Sequence, residues 1–188
     1  RPQIKTSSKA RQQIALKNET ITLGGGCFWC LEAIFSRLNG VESLVSGYAG
    51  GQTENPNYKD VCTGNTGHAE VIQVNFKPNL ITLEDILDIF WQAHDPTTLN
   101  RQGNDVGTQY RSTIMPHNKE QQETAQKSMK KWKGKLNSPI TTIIEPLNEF
   151  FEAEETHQDY FRLNPKAPYC ALSIEPKLKK LKDDNVLP

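Results

Sequence analysis

Residues 20–30 read TITLGGGCFWC, and the architecture is read outward from this stretch. Thr20, Ile21, Thr22 and Leu23 form a short β-prone run. Beyond the glycines, Phe28, Leu31, Ile34, Phe35 and Leu38 recur at helical spacing. A strand therefore passes through a glycine turn into a helix, with Cys27 at or near the first helical residue. A thiol there faces unpaired backbone N–H groups and the positive end of the helix dipole. Both favour the thiolate, which is the nucleophilic form. Three glycines let the backbone approach a substrate closely and leave the thiol uncrowded. Phe28 and Trp29 are placed to wall a small apolar pocket. A cysteine at a tight turn can equally be an inert packing residue. The glycines before it, the aromatics after it and Cys30 three residues on favour the reactive reading.

The next segments extend this start. Apolar periodicity predicts strand 20–24, helix 27–38, strand 41–48, strand 68–76, helix 82–94 and strand 110–115. That order, β-α-β-β-α-β, is a split βαβ arrangement. Thr82 is the expected N-cap of the second helix, whose buried stripe is Leu83, Ile86, Leu87, Phe90 and Trp91. A polar helix over 118–135, a strand over 141–144 and a short helix over 152–160 follow. Two long loops, 50–60 and 95–109, carry Gly, Pro and Asn signals, and loops of that length are often functional. Residues 1–19 read as a polar arm, and 20–188 as one catalytic domain with a lysine-rich tail.

Composition narrows the function. The 188 residues suffice for one domain with a full core. Lys+Arg and Asp+Glu both number 22, which argues against a broad electrostatic surface for nucleic acid or anionic lipid. No apolar run reaches the length of a membrane span. The chain begins with Arg1 and its first residues lack an apolar signal core, so a processed form is expected, compatible with a removed targeting peptide. Four cysteines, one close pair and two singles, suit a cytoplasmic or other reducing compartment and redox use rather than a disulfide scaffold. A zinc site from Cys27, Cys30, Cys62 and Cys170 lacks paired-ligand spacing in its second half.

Several blocks then align with one family. GCFW at 26–29, GYAGG at 47–51, NPNY at 55–58, TGHAE at 66–70, NDVGTQYRS at 104–112 and HQDY at 157–160 together resemble the peptide methionine sulfoxide reductase A family. The resemblance covers about residues 20–175. It implies an α+β, two-layer α/β sandwich with a mixed central sheet, related to the ferredoxin-like fold. It implies reduction of methionine-S-sulfoxide, free or in oxidised proteins and peptides. No bound cofactor or metal is implied; thioredoxin or another dithiol is the reductant, and the enzyme is expected to be a monomer. Residue by residue, it makes Cys27 the nucleophile and Glu70 the acid on the sulfoxide oxygen. Tyr58 and Tyr110 would hydrogen-bond that oxygen, Asp105 would help hold the site, and Phe28 and Trp29 would hold the methyl group. His68 would be a supporting hydrogen-bonder. Cys30 and Cys170 are the candidate resolving thiols. Cys30, one helical turn from Cys27, is favoured as first partner; Cys170 is expected on a mobile arm.

The chemistry is self-consistent. Sulfoxide sulfur is a poor electrophile until its oxygen gains a proton or a strong hydrogen bond. Proton transfer of this kind typically contributes ~10²–10⁴-fold. The carboxyl must then be protonated near neutral pH, which needs a desolvated pocket. The resulting sulfenic acid condenses with a second thiol to a disulfide that an outside dithiol resets. Taken singly, the partners have plainer readings: Glu70 as a solvated edge residue, the tyrosines and Trp91 as core, Asp105 as a turn residue, Cys62 as structural. Two other functions fit Cys27-x-x-Cys30: a thioredoxin-like dithiol–disulfide oxidoreductase, and a metal- or peptide-binding module anchored by Phe28 and Trp29. The bulky Phe-Trp pair between the cysteines favours a substrate pocket over the former's broad docking face.

Overall fold

Strand β1 (Glu19–Gly24) bonds antiparallel to β3 (Ala69–Phe76) on one side and to β6 (Thr113–Met115) on the other. These are features of a computed structural model that describes residues 17–188; of the expected arm, residues 1–16 lie outside the described residues and Glu19 already belongs to β1. Strand β2 (Val41–Ala49) pairs antiparallel with β3, so β3 separates β1 from β2, the two strands joined by helix α1 (Phe28–Phe35). Two short strands finish the edges. β7 (Ile143–Ile144) runs parallel to β6, and β8 (Phe150–Glu152) antiparallel to β2. The six-stranded sheet is therefore mixed, in the order β7-β6-β1-β3-β2-β8.

Strand alternation sorts the side chains. Ile21, Leu23, Ile72, Val74, Phe76 and Ile114 enter the main core with the helices. Ala49, Ala69, Val71 and Met115 form a smaller cluster on the other face, covered by Leu147 and Phe150. Helix α1 is buried on nearly every side; only Trp29 reaches partway to the surface. Helix α3 (Leu83–Ala93), which follows the short helix α2 (Tyr58–Cys62), is closed by a reciprocal Thr82–Asp85 capping box and buries the expected stripe. Trp91 is core, and its indole N–H donates to Ser128 of α4 (Lys119–Lys133) at 2.9 Å. Among the described residues no helix is long and apolar enough to cross a membrane.

The expected helix over 152–160 is not formed. Instead Phe150–Glu152 pairs with the outer edge of β2, and a 3₁₀ turn spans Glu155–His157. The Gln158 side chain then receives the Ser46 N–H at 2.9 Å and donates to the Ser46 carbonyl at 2.8 Å. Unpaired backbone on that edge outcompetes local helix propensity. Helix α5 (Tyr160–Leu163) begins only after Asp159, whose φ is +54°. The strand expected over 110–115 shortens to β6 after a 3₁₀ turn, Thr108–Tyr110. A hairpin of β4 (Arg101–Gln102) and β5 (Asp105–Val106) occupies the 95–109 loop. The chain closes with an i→i+5 turn, Cys170–Ile174, continued by α6 (Glu175–Asp183), which buries Leu178 and Leu181 and turns most of its lysines outward.

Candidate active site

The turn into α1 needs its glycines. Gly26 has φ +88°, and its N–H donates to the Tyr110 carbonyl at 3.2 Å. A Cβ on Gly25 would sit 2.9 Å from the His94 ring. His94 is buried and locked: its Nδ1–H donates to the Phe90 carbonyl at 2.7 Å, and Nε2 accepts from the Ser112 hydroxyl at 2.7 Å. Burial pushes its pKa down to about 4, so it stays neutral under the turn. Cys27 follows as the N-cap residue, with extended backbone, and its carbonyl accepts the Cys30 N–H at 3.1 Å.

Glu70 is not a solvated edge residue. It lies on a central strand, on the helix-facing side with Ile72, opposite Tyr48 of β2, and it is fully buried. Oε1 accepts the Phe28 N–H at 3.1 Å, an orphan donor of the helix start. Oε2 has no hydrogen-bond partner among the described residues. Burial pushes the carboxyl up to about 8, helped by the Asp105 and Cys30 charges and only partly opposed by Phe28 N–H. At neutral pH Glu70 is a carboxylic acid. Its proton belongs on Oε2, because Oε1 is already an acceptor.

Both long loops deliver residues to this end of the sheet. Tyr58 opens α2; its N–H donates to Glu154 at 3.0 Å, and its ring packs on His157 at 4.2 Å between centroids. Glu154 also accepts the Tyr48 hydroxyl at 2.9 Å, tying β2 to α2. Burial, with the Glu70 charge next, pushes the Tyr58 and Tyr110 phenols well above their ordinary range, so both remain donors. Asp105 accepts the Tyr169 hydroxyl at 2.7 Å. Trp29 stacks on Tyr160 at 3.8 Å and donates its indole N–H to His157 Nδ1 at 3.2 Å. Phe28 has no exposed surface and packs against Tyr48 and Tyr58, so of the two expected methyl-holding aromatics only Trp29 meets solvent.

All four cysteines are free thiols. Cys27 and Cys30 are buried and hydrogen-bonded to each other. Here the structure departs from the helix-end expectation. Burial, then the Cys30 bond and the Glu70 charge, push the Cys27 thiol up. The bond from Cys27 pulls Cys30 down to about 7, against burial and with help from Lys177. The pull is opposite on the two sulfurs, and Cys30 gives up its proton the more readily. Cys170 is not on an arm: it is fully buried, in a turn anchored by Ile174, Leu178 and Leu181 of the main core. Cys62 is exposed at the end of α2, bonded to the Tyr58 hydroxyl.

His68 is a loop fastener. Nδ1 accepts the Gly51 N–H at 3.0 Å, so Nε2 carries the hydrogen and donates to the Thr53 carbonyl at 2.7 Å. Both nitrogens are thus committed to the loop backbone. Sequence reasoning missed Arg111, which donates to both oxygens of Glu145 at 3.1 Å and to the carbonyls of Gly67 and Thr108 at 3.0 Å. It staples the loops that carry Glu70 and Tyr110. It also missed Tyr169 and His157; the available signals are the HQDY block at 157–160 and the aromatic residue directly before Cys170. A cavity of about 680 Å³ opens onto the thiols, bounded by Cys27, Cys30, Gln102, Asp105, Tyr169 and Lys177. Glu70, Tyr58 and Tyr110 do not line it, so it reaches the sulfurs from another side.

Two adjacent thiols at a helix start, beside a buried protonated carboxyl and two phenols, define a thiol-dependent oxidoreductase. Residues 19–187 match the family model of peptide methionine sulfoxide reductase. The peptide methionine sulfoxide reductase MsrA of Leptospira borgpetersenii serovar Hardjo-bovis is 56% identical over 162 residues, 86% of this chain and 92% of that protein. Mxr1 of Saccharomyces cerevisiae in its reduced form superposes with a TM-score of 0.78 at 40% identity, covering 82% of this chain and 90% of Mxr1. A structure of Mxr1 in complex with Trx2 matches with a TM-score of 0.56 at 30% identity, covering 85% and 91%. The chain belongs to the peptide methionine sulfoxide reductase family, and it is an enzyme. The thioredoxin-like and binding-module readings fall with that membership.

Proposed function

We propose that the enzyme reduces methionine-S-sulfoxide, free or within oxidised polypeptides, with Cys27 as nucleophile and Glu70 as acid. The observation that carries this reading is the Glu70 carboxyl, pushed up to about 8 with Oε2 unpartnered, near enough to the buried Cys27 thiol for its charge to act there. Glu70 protonates the sulfoxide oxygen while Tyr58 and Tyr110 donate hydrogen bonds to it. The Cys27 proton passes along its bond to Cys30, which frees the attacking sulfur at the moment it is needed. The oxygen leaves the methionine sulfur and ends on Cys27 as a sulfenic acid, and methionine is released. Cys30 then attacks the Cys27 sulfur. An S–S bond forms, the S–OH bond breaks and water departs. Cys170 takes over Cys30 in a second exchange, which needs its core turn to open, and thioredoxin resets the pair. In support, the yeast relative has been captured with Trx2. Phe28 and Trp29 are assigned to the methyl pocket, and Asp105 and His68 to holding the site. We read the enzyme as a monomer of a reducing compartment, with no bound cofactor.

One turnover without reductant tests the proposal. A reduced Cys170→Ser sample given a racemic methionine sulfoxide peptide should leave the R epimer, about half the sulfoxide, untouched and acquire one disulfide between Cys27 and Cys30, read by chiral chromatography and peptide mapping. Consumption of both epimers, or turnover by Cys27→Ser, would contradict it.

A further inference from the structure

Beyond sulfoxide reduction itself lies the question of where the Cys30 proton goes. We propose that Tyr169 is a positioning residue that carries the proton of the resolving thiol Cys30 to Asp105. The inference rests on the reading that Cys30 is the first resolving thiol.

The geometry sets the direction of the chain. The Tyr169 oxygen lies 2.7 Å from Asp105 Oδ2 and 3.7 Å from Cys30 Sγ. A carboxylate only accepts, so the phenol hydrogen points to Asp105. Once Cys30 has taken the Cys27 proton in the first step, the phenol oxygen presents its lone pairs to it, and the thiol is the donor. Cys30 S–H, Tyr169 O–H and Asp105 carboxylate form one directed row. The ring is fixed by an edge contact with Trp29, 5.7 Å between centroids, and the row borders the cavity that opens onto the thiols.

In the second step the Cys30 sulfur bonds to the Cys27 sulfur and the hydroxyl leaves. As Cys30 attacks, its proton moves to the Tyr169 oxygen and the Tyr169 proton moves to Asp105. The departing hydroxide takes a proton from Glu70, which solvent has re-protonated since the first step, and leaves as water. Asp105 and Glu70 then re-equilibrate through solvent, and the net reaction is sulfenic acid plus thiol giving disulfide plus water. During transfer the row reverses, so Tyr169 donates to the nascent thiolate. The titratable groups facing Cys30 are Cys27 on its own helix, Glu70 of β3, Asp105 of β5, Tyr169 and Cys170 of the closing turn, and Lys177 of α6. Only Tyr169 links Cys30 to an acceptor that opens on the cavity.

Rapid-quench single turnovers across pH test the row. Methionine release reports the first step, and mapping of Cys27–Cys30 in a Cys170→Ser background reports the second. Tyr169→Phe keeps the ring and loses the hydroxyl. It should slow disulfide formation by about tenfold to a hundredfold, more than it slows methionine release, so that sulfenic acid accumulates. The acid limb of disulfide formation should move up by about one pH unit. Asp105→Asn removes the acceptor and should move the same limb. The double variant should add little to either, as members of one unit do. Disulfide formation at wild-type speed in Tyr169→Phe, or a slowing equal at every pH, overturns the inference. A Cys170→Ser map lacking Cys27–Cys30 overturns both the resolving role of Cys30 and this inference. A Cys170→Ser map that shows Cys27–Cys30, beside an indifferent Tyr169→Phe, overturns this inference alone.

Discussion

Glu70→Gln separates what the buried acid does for catalysis from what it costs the fold. Glutamine keeps the shape and can still accept the Phe28 N–H that Glu70 receives at 3.1 Å. It cannot give up a proton. The first chemical step should slow by ~10²–10⁴-fold, with KM changed far less, because the proton is delivered in the transition state. In the wild type that step should be fast below pH 8 and lost as pH rises through about 8, where Glu70 ionises. The variant should lack that limb. Stability moves the other way. The folded pKa of about 8 stands above the ordinary 4.5, so the folded state binds the extra proton. The contribution of neutral Glu70 is full below about 4.5 and is lost as pH rises towards about 8. At pH 7 the wild type has forgone roughly 3 kcal/mol on this account, at ~1.4 kcal/mol per pH unit. The glutamine side chain does not titrate, so the variant should melt several degrees higher at pH 7, with the gap narrowing toward pH 4. Single-turnover methionine release and thermal melts at several pH values read both effects. A first step that keeps its alkaline limb near 8, or melts with the same pH slope in both proteins, refutes the reasoning.

Tyr58→Phe and Tyr110→Phe should each slow the first step less than Glu70→Gln, since one phenol donor remains, and the double variant should lose more than either, as single-turnover rates would show. Cys170→Ser should stop after one turnover with Cys27–Cys30 trapped, visible by peptide mapping; a fully reducible, multiply cycling variant with thioredoxin would remove Cys170 from the relay. Arg111→Lys keeps the charge but gives up the two-pronged bond to Glu145 and the carbonyl staples; it should cost about 1–3 kcal/mol in denaturant unfolding and lower turnover through the loosened loops.

Much of the architecture was legible because periodicity is local. The stripe Leu83–Trp91 with its Thr82 cap, and the apolar run of β3, need no distant partner to be recognised. What escaped depends on partners far along the chain. Residues 152–160 look helical alone, but the open edge of β2, over a hundred positions away, takes Phe150–Glu152 as a strand and Gln158 as a clasp. The thiolate expected at Cys27 follows from the helix end; the structure adds burial and Glu70, which outweigh it. Glu70 itself shows the reverse: only the pairing of β3 between β1 and β2 reveals that this carboxyl has no water. Tyr169 lies 139 positions from Cys30, beyond any local pattern.

The way the sheet ends has a consequence for clients. Oxidised polypeptides are often partly unfolded, and an extended segment seeks a free sheet border to lie against. Here one border is β7, two residues long, and the other is β8, three residues long. The stretch of β2 that β8 leaves open carries the exposed Glu42 and a register shift between Val41 and Ser43, while Gln158 occupies Ser46. A client strand finds no continuous ladder to extend. Such short, interrupted borders disfavour edge-to-edge pairing with other chains.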